Sequence, residues 1–420
     1  MKTTSAVIVT TLLAMLGGCE KKGPAELQLP VVEMPPKAEV APLAASSNAF
    51  AFALWRRVGG RPGNLALSPA SISTALAMTW GGAKGETAAQ MKQTLQLDGE
   101  PEVVGRRWGT LASALQSPSR KTKIRIANRL FGEKSYTFEP LFLDRTKAAY
   151  GAPLEPVDFK HAVEASRKQI NDWVERYTER RIANLLPPRS LGDTTRLVLV
   201  NAIYFLGDWA APFKKEATFD EPFLRSGGAR APVPMMHALG HYGLAKADGV
   251  AMLELPYKGE ETAMLVVLPD KQDGLAEVEQ ALDAAKLVAW TGALAGQEVN
   301  VTLPKFTIDP PESIPLAEHL SGLGMRDAFD RERADFTGIA NPPDPAQRLF
   351  ISAVFHKAFV KTDEKGTEAA AATAVVMGNV GAAPPPPAAE FKADHPFLFF
   401  IVERSSGLIL FMGRVADPRP

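Results

Sequence analysis

The spacing of apolar residues changes character near the middle of the chain. Over residues 162–179 the apolar positions Ile170, Trp173, Val174 and Tyr177 fall at i, i+3, i+4 and i+7, the stripe of an amphipathic helix. Upstream, residues 48–57 carry Phe50, Phe52, Leu54 and Trp55 and are expected to form an opening helix. Ser68-Pro69 starts a second, with Ile72, Leu76 and Met78 on its buried side; proline suits the first turn, where its missing N–H has no partner to lose. Gly81-Gly82 stops that helix, and residues 86–95 resume one. Downstream the texture is that of strands. Residues 196–206, 251–255, 263–268, 299–303 and 351–360 are β-branched and aromatic runs bounded by turn residues. Residues 397–402 and 408–415 add two more around the turn Ser405-Ser406-Gly407. Helices mostly first and strands mostly later predict an α+β protein with large sheets.

The amino terminus reads as an address. Met1 and Lys2 precede an apolar stretch, residues 5–16, that ends in Leu16-Gly17-Gly18-Cys19. A helix of that length rises about 18 Å, too short for a bilayer core of about 30 Å. A short basic start, an apolar centre and small residues at the cut make a secretory signal. Leu-Gly-Gly-Cys resembles the lipobox of bacterial lipoproteins, which implies residues 1–18 as signal peptide and Cys19 as the lipidated first residue. An ordinary cleaved signal with an incidental cysteine is the alternative. Residues 19–47, with Pro24, Pro30, Pro35, Pro36 and Pro42, are expected to be a tether without secondary structure, reaching about 90 Å if fully extended. Residues 48–420 show no break in composition and are expected to be one folded body. The expected location is the cell envelope, lipid-anchored.

Composition narrows the function. Of 420 residues, 46% are hydrophobic, and 47 Lys plus Arg balance 47 Asp plus Glu. The apolar fraction supports a large core, and the absence of basic excess argues against a nucleic-acid binder. The single cysteine excludes an internal disulfide, a cysteine-ligated zinc site and a Cys-His catalytic pair in the body.

Catalytic chemistry is sparse. His237 and His241 have helical spacing, but no Glu follows His237 as a zinc-protease helix requires, and Pro232, Pro234 and Gly240 spoil the helix. Two solvated or capping histidines are expected instead. Gly81-Gly82-Ala83-Lys84-Gly85 has the wrong spacing for a phosphate loop, and Gly-x-Ser-x-Gly does not occur. Glu260-Glu261 reads as a solvated turn. No enzyme activity, metal or cofactor is expected.

One segment stands out. Residues 364–376, Glu-Lys-Gly-Thr-Glu-Ala-Ala-Ala-Ala-Thr-Ala-Val-Val, follow directly on the strand expected to end at Asp363, and Pro384 to Pro387 follow them before structure resumes near Phe391. A long small-residue loop within a compact domain is uncommon and usually functional. Its first half has strand character, with very small side chains at alternate positions.

At this point the sequence resembles the serpins over essentially all of residues 48–420. Residues 391–401, Phe-Lys-Ala-Asp-His-Pro-Phe-Leu-Phe-Phe-Ile, resemble the family's carboxyl-terminal signature. Residues 64–72 resemble the start of its second helix, residues 201–209 its central-sheet strand ending in Trp209, and residues 364–372 the hinge of its reactive loop.

The resemblance implies a serpin fold: a large central sheet, further sheets, eight to nine helices and an exposed reactive-centre loop over about 364–390. It implies a suicide substrate of serine proteases, acting as a monomer, in which the cut loop inserts as a new strand while the enzyme is held as acyl-enzyme. Alternate residues of an inserted strand face inward. Thr367, Ala369, Ala371 and Thr373 would do so in a hinge formed by Glu364, Gly366, Thr367, Ala369, Ala370, Ala371, Ala372 and Thr373. It also implies a polar shutter at Ser68, Ser71, Asn201 and His356, a breach at Trp209, and a Lys305–Glu364 pair at the loop base. The family's hinge-to-bait length, counted from Glu364, places the scissile bond at Val380-Gly381, with Asn379 and Met377 as alternatives. The sequence departs from the family beyond that bond, where residues 382–389 with their four prolines lengthen the loop. No Lys or Arg lies between Lys365 and Lys392, so an elastase-like or subtilisin-like enzyme is the expected target rather than a trypsin-like one. No basic cluster marks an activating cofactor site; Arg106-Arg107 alone is weak. A non-inhibitory serpin acting as carrier or chaperone, and an unrelated envelope-binding lipoprotein, are the alternatives.

Overall fold

The computed structural model describes residues 30–367 and 387–419. The first half is α1 (Lys37–Val58), β1 (Leu65–Leu67), α2 (Pro69–Trp80), α3 (Gly85–Thr94), α4 (Pro101–Leu115), β2 (Lys123–Glu133), α5 (Pro140–Tyr150), β3 (Leu154–Val157), α6 (Val163–Tyr177) and β4 (Leu197–Asp208). There follow β5 (Thr218–Leu224), β6 (Arg230–Ala247), β7 (Val250–Pro256), β8 (Thr262–Pro269), α7 (Leu275–Ala281), α8 (Ala284–Gly292), β9 (Ala295–Pro304), β10 (Phe306–Ile308), β11 (Ile314–Pro315) and α9 (Ala317–Gly322). The chain closes with β12 (Phe355–His356), β13 (Val360–Asp363), β14 (Gly366–Thr367), β15 (Ala389–Lys392), β16 (Phe397–Glu403) and β17 (Ile409–Val415). The α+β reading holds.

Local chemistry explains the boundaries. Ser68 caps α2, its hydroxyl accepting from the Ser71 N–H while Pro69 occupies the first turn. α6 buries Ile170, Trp173 and Val174 on the face that the sequence periodicity marks. β16 and β17 are buried along their whole lengths, so residues 397–402 and 409–412 read as apolar runs rather than alternations, with the charged Glu403 and Arg414 buried near their ends.

Two sheets organise the body. The larger runs β1-β17-β16-β8-β7-β6-β9-β15, with β5 added on β6. The second runs β10-β13-β14-β4-β2-β3 and carries the candidate site. A single apolar cluster, with Phe50, Trp55, Leu76, Phe397 and Phe411 all deeply buried, joins α1 and α2 to both.

Three expectations change. The tether does not extend to residue 47, because α1 begins at Lys37 and buries Val40, Leu43, Ala44 and Ser47. Pro42 inside this helix forfeits one backbone hydrogen bond, a cost that the burial of Val40 and Leu43 offsets. The continuous strand expected over 351–360 is only β12 and the first residue of β13, with residues 351–354 and 357–359 outside any strand. His237 and His241 lie on β6, in extended chain. His237 is not a free surface ring: it stacks on Phe219 at 4.4 Å and stands 3.0 Å from Glu221.

Candidate functional site: a hinge seated in an open sheet

The hinge begins inside the sheet. β14 pairs with β13 through Thr362↔Thr367 and Asp363↔Gly366, and with β4 through Gly366↔Asp208 and Thr367↔Gly207. Glu364 and Thr367 are 5% and 3% exposed, so the loop expected to be exposed from 364 is in fact buried as far as Thr367. Glycine is required at 366: a Cβ there would lie 2.0 Å from the Gly207 carbonyl oxygen and 2.8 Å from Asp208 Cα. Ala369, Ala370, Ala371, Ala372 and Thr373, and the candidate bond at Met377, Asn379, Val380 and Gly381, lie outside the described residues.

Aromatic residues fasten this point. Trp209 is 2% exposed; its indole N–H donates to the Asp363 carbonyl at 3.0 Å and its backbone N–H to Lys365 O at 2.7 Å. Tyr257 stacks on Trp209 with centroids 4.6 Å apart and places its hydroxyl 2.6 Å from Thr367 Oγ1. Burial pushes the Tyr257 phenol far above its ordinary range, so it stays protonated. Lys305 Nζ stands 3.0 Å from Glu364 Oε2. Burial alone would raise the Glu364 carboxyl, yet backbone hydrogen bonding and Lys305 outweigh it and hold it below the usual range.

Beneath the hinge the sheet is split. β4 pairs with β2 from Leu197 to Leu206, but on its other edge it meets a strand, among the described residues, only at Gly207 and Asp208. β13 likewise pairs with β10 on one side and with β14 alone on the other. A cavity of about 240 Å³ lies below, between Leu197–Val200 of β4 and the chain at 348–356, flanked by Ile72 and Leu76 of α2 and by Leu185 and Leu186 after α6. Among the described residues, Gly366 and Thr367 alone stand between β4 and β13.

The polar residues expected at the shutter partly converge here. The Ser68 N–H donates to His356 Nε2 at 3.0 Å, and the Ser68 hydroxyl donates to the Leu410 carbonyl at 2.7 Å. His356 is therefore neutral, with its proton on Nδ1, and burial pushes its imidazole down to about 4. Ser71 reaches Ser68 through its backbone N–H at 3.4 Å. Asn201 sits opposite Asn128 in the β2–β4 register.

Two residues of this site escape the sequence reading. Tyr257 carries no local signal, since its partner is 110 positions away. Lys357 is 8% exposed and donates to the Ala183 carbonyl at 3.1 Å, with Asp309 at 4.0 Å. Ala183 belongs to a loop in which Glu179, Arg180, Asn184 and Arg189 all have positive φ, a concentration of strain unusual for side-chain-bearing residues. Among the described residues no group of three or more His, Cys, Asp or Glu is placed to hold a metal ion, and no helix is long and apolar enough to cross a membrane.

Comparison with known proteins agrees with this geometry. The family model described as "Serpin (serine protease inhibitor)" matches residues 45–418, beginning within α1. The human leukocyte elastase inhibitor is 43% identical over 364 residues, covering 85% of this chain and 93% of its own. Cleaved Serpin 42Da superposes with a TM-score of 0.79 at 30% identity, covering 91% of this chain and 100% of its own. Uncleaved ovalbumin gives 0.78 at 31% identity, with 89% and 99% covered. With residues 45–418 matched by the family model, 43% identity to a relative covered over 93% of its length, and a hinge seated between β13 and β4, the chain belongs to the serpin family of serine protease inhibitors.

Proposed function

We propose that this serpin is a suicide-substrate inhibitor of an elastase-like or subtilisin-like serine protease, bound one to one. The observation that supports this most is Thr367 seated between β13 and β4, two strands that no other described residue joins. A loop cut beyond it can continue the same strand. Fifteen residues at 3.3 Å each would carry the acylated end roughly 50 Å, and a charge at an inward position would cost several kcal/mol. The small hinge side chains of the sequence meet that requirement. The human relative is named for leukocyte elastase, and the absence of Lys or Arg from 366 to 391 points to the same small apolar specificity. Lys305, Glu364, Trp209 and Tyr257 would hold the loop base, and Ser68, Ser71, Asn201 and His356 would latch the sheet below it.

Mixing the full chain with elastase, subtilisin and chymotrypsin and running denaturing gels tests the reading. A boiling-resistant band at the summed mass with one of them is expected, and mass spectrometry of the released peptide identifies the cut among Met377, Asn379, Val380 and Gly381. Clean cleavage by all three without a complex would leave the carrier or chaperone alternative standing.

The lipobox-like start supports a lipid on Cys19 and display at a bacterial cell envelope. A diacylglycerol-modified amino-terminal peptide, and release of a Cys19→Ser variant from the membrane fraction, are the expected results.

A further inference from the structure

The segment just before α1 is seated on the body at the same end as the hinge. The Val32 N–H donates to Ser117 Oγ at 3.0 Å, and Met34 packs against the main apolar cluster. Ser117 is 3% exposed and opens the turn that follows α4, its carbonyl accepting from the Arg120 N–H at 3.1 Å. From that turn the contacts run on to the hinge. Arg120 and Thr122 reach the Thr262 hydroxyl at 3.3 and 3.5 Å. The Thr262 carbonyl accepts from the Tyr257 N–H at 2.9 Å, and Tyr257 holds Thr367. The strand register agrees. Lys123 opens β2 opposite Leu206 and Thr367 lies opposite Gly207, so two strand spacings, about 10 Å, separate them. The foot of β2 at Glu133 is about 33 Å further along that strand.

This seating limits how the body can stand on a lipid surface. From Cys19 to Pro30 the chain spans at most about 40 Å, less than half the reach expected of residues 19–47. A lipid on Cys19 therefore pulls on the hinge end of the sheet and not on its foot.

The same end carries uncompensated cations. Lys121 and Lys258 are exposed, and the Lys121 stem lies so close to Gly259 that a Cβ there would stand 3.0 Å from it. The Lys258 N–H donates to the Asp208 carbonyl at 2.7 Å, on the residue opposite Gly366. Lys214 and Lys215, also exposed, follow Phe213, whose N–H donates to the Glu364 carbonyl at 2.8 Å. Among the described residues none of these four lysines forms an ion pair. The carboxylates on the same turns are Glu216, Glu260 and Glu261, and Glu260 is itself 3.8 Å from Arg404. Lysines held within a Debye length of an anionic bilayer are drawn to it.

We propose that the hinge end of the body is its membrane face. Residues 30–36 strap the anchor to Ser117, and Lys121, Lys214, Lys215 and Lys258 lie against the headgroups of an anionic lipid surface. The proposal rests on the lipid reading of Cys19 and adds a direction to it. Thr367 belongs to this end, so the trap is set towards the lipid, and enzymes working at that surface are the ones it is placed to meet.

The test is lysine acylation by a water-soluble ester, read residue by residue by mass spectrometry. The lipidated chain is bound to phosphatidylcholine vesicles with or without phosphatidylglycerol, and the Cys19→Ser chain in solution is the reference. With phosphatidylglycerol, Lys121, Lys214, Lys215 and Lys258 are expected to react at least threefold more slowly than in the reference. Lys160, exposed beside Glu133 at the foot of β2, should react at an unchanged rate. Lys121→Glu combined with Lys258→Glu should restore the rates at Lys214 and Lys215, with melting temperature as the fold control. Protection centred on Lys160, protection equal at both ends, or protection undiminished without phosphatidylglycerol would overturn this proposal and leave the lipid reading intact. A native chain without diacylglycerol on Cys19 would overturn both.

Discussion

The hydroxyls of Tyr257 and Thr367 stand 2.6 Å apart in a site from which solvent is excluded. This contact fixes the last described residue before the bait at the top of the split sheet. Thr367→Arg would put a cation against Tyr257 and Trp209, where an unpaired charge costs several kcal/mol. The expected outcome is an inhibitor turned into a substrate, with cut product in place of complex on denaturing gels. Full-stoichiometry trapping by that variant would refute insertion through this point.

Gly366→Ala tests the seat itself. The new methyl would meet the Gly207 carbonyl, and relieving that overlap costs on the order of 2 kcal/mol. The hinge should leave the sheet. Trp209, whose indole N–H is held by Asp363, should report the release as a change in fluorescence, and proteases should cut earlier in the segment.

Lys305→Met removes the cation beside Glu364 and leaves a largely buried carboxylate, Glu364 being 7% exposed at its side chain. Because Lys305 is itself 37% exposed and water partly screens it, the expected loss is about 1 kcal/mol. A lower denaturant midpoint at neutral pH checks it. The difference from the unaltered chain should shrink below pH 4.5, since the depressed Glu364 contributes stability above its unfolded value and loses it as pH falls.

His356 sets an acid limit. Its folded value of about 4 lies below the ordinary 6.5, so the unfolded chain binds the proton first as pH falls. Its contribution is complete above about pH 6.5 and drains away towards pH 4, a loss of about 3 kcal/mol. Urea midpoints measured across that window should fall less steeply for His356→Gln, whose amide can accept from Ser68 without titrating.

Removing the chain before Asn48 should be far more damaging than removing it before Pro36. The longer cut deletes Val40 and Leu43, both at least 96% buried. Losing two buried aliphatic side chains costs about 3 to 5 kcal/mol. Thermal melting of the two truncated proteins separates the tether from the body.

What could be read from the chain in advance follows from the range of each interaction. The α6 stripe and the capped start of α2 are local and were legible to within a few residues. The apolar run at 351–360 was equally visible, but a strand needs a neighbour, and among the described residues only Phe355, His356 and Val360 of this run pair with one. The α1 start was obscured because Pro35, Pro36 and Pro42 give residues 30–42 the composition of a spacer, while the burial that overrides it comes from tertiary packing. The hinge composition pointed to residues 364–372, yet the seating of Gly366 and Thr367 depends on Gly207, Asp208 and Tyr257, far away in sequence. The Lys305–Glu364 pair came only from the family resemblance, for the same reason.

The two rungs already formed at Gly366 and Thr367 bear on the speed of trapping. Starting a new strand between distant partners is the slow part of sheet formation, because chain entropy is lost before any rung is gained. Here that initiation is complete before the enzyme arrives. After cleavage only propagation remains, rung upon rung from a fixed origin, and a nascent acyl-enzyme has to outrun a zipper whose first teeth are engaged.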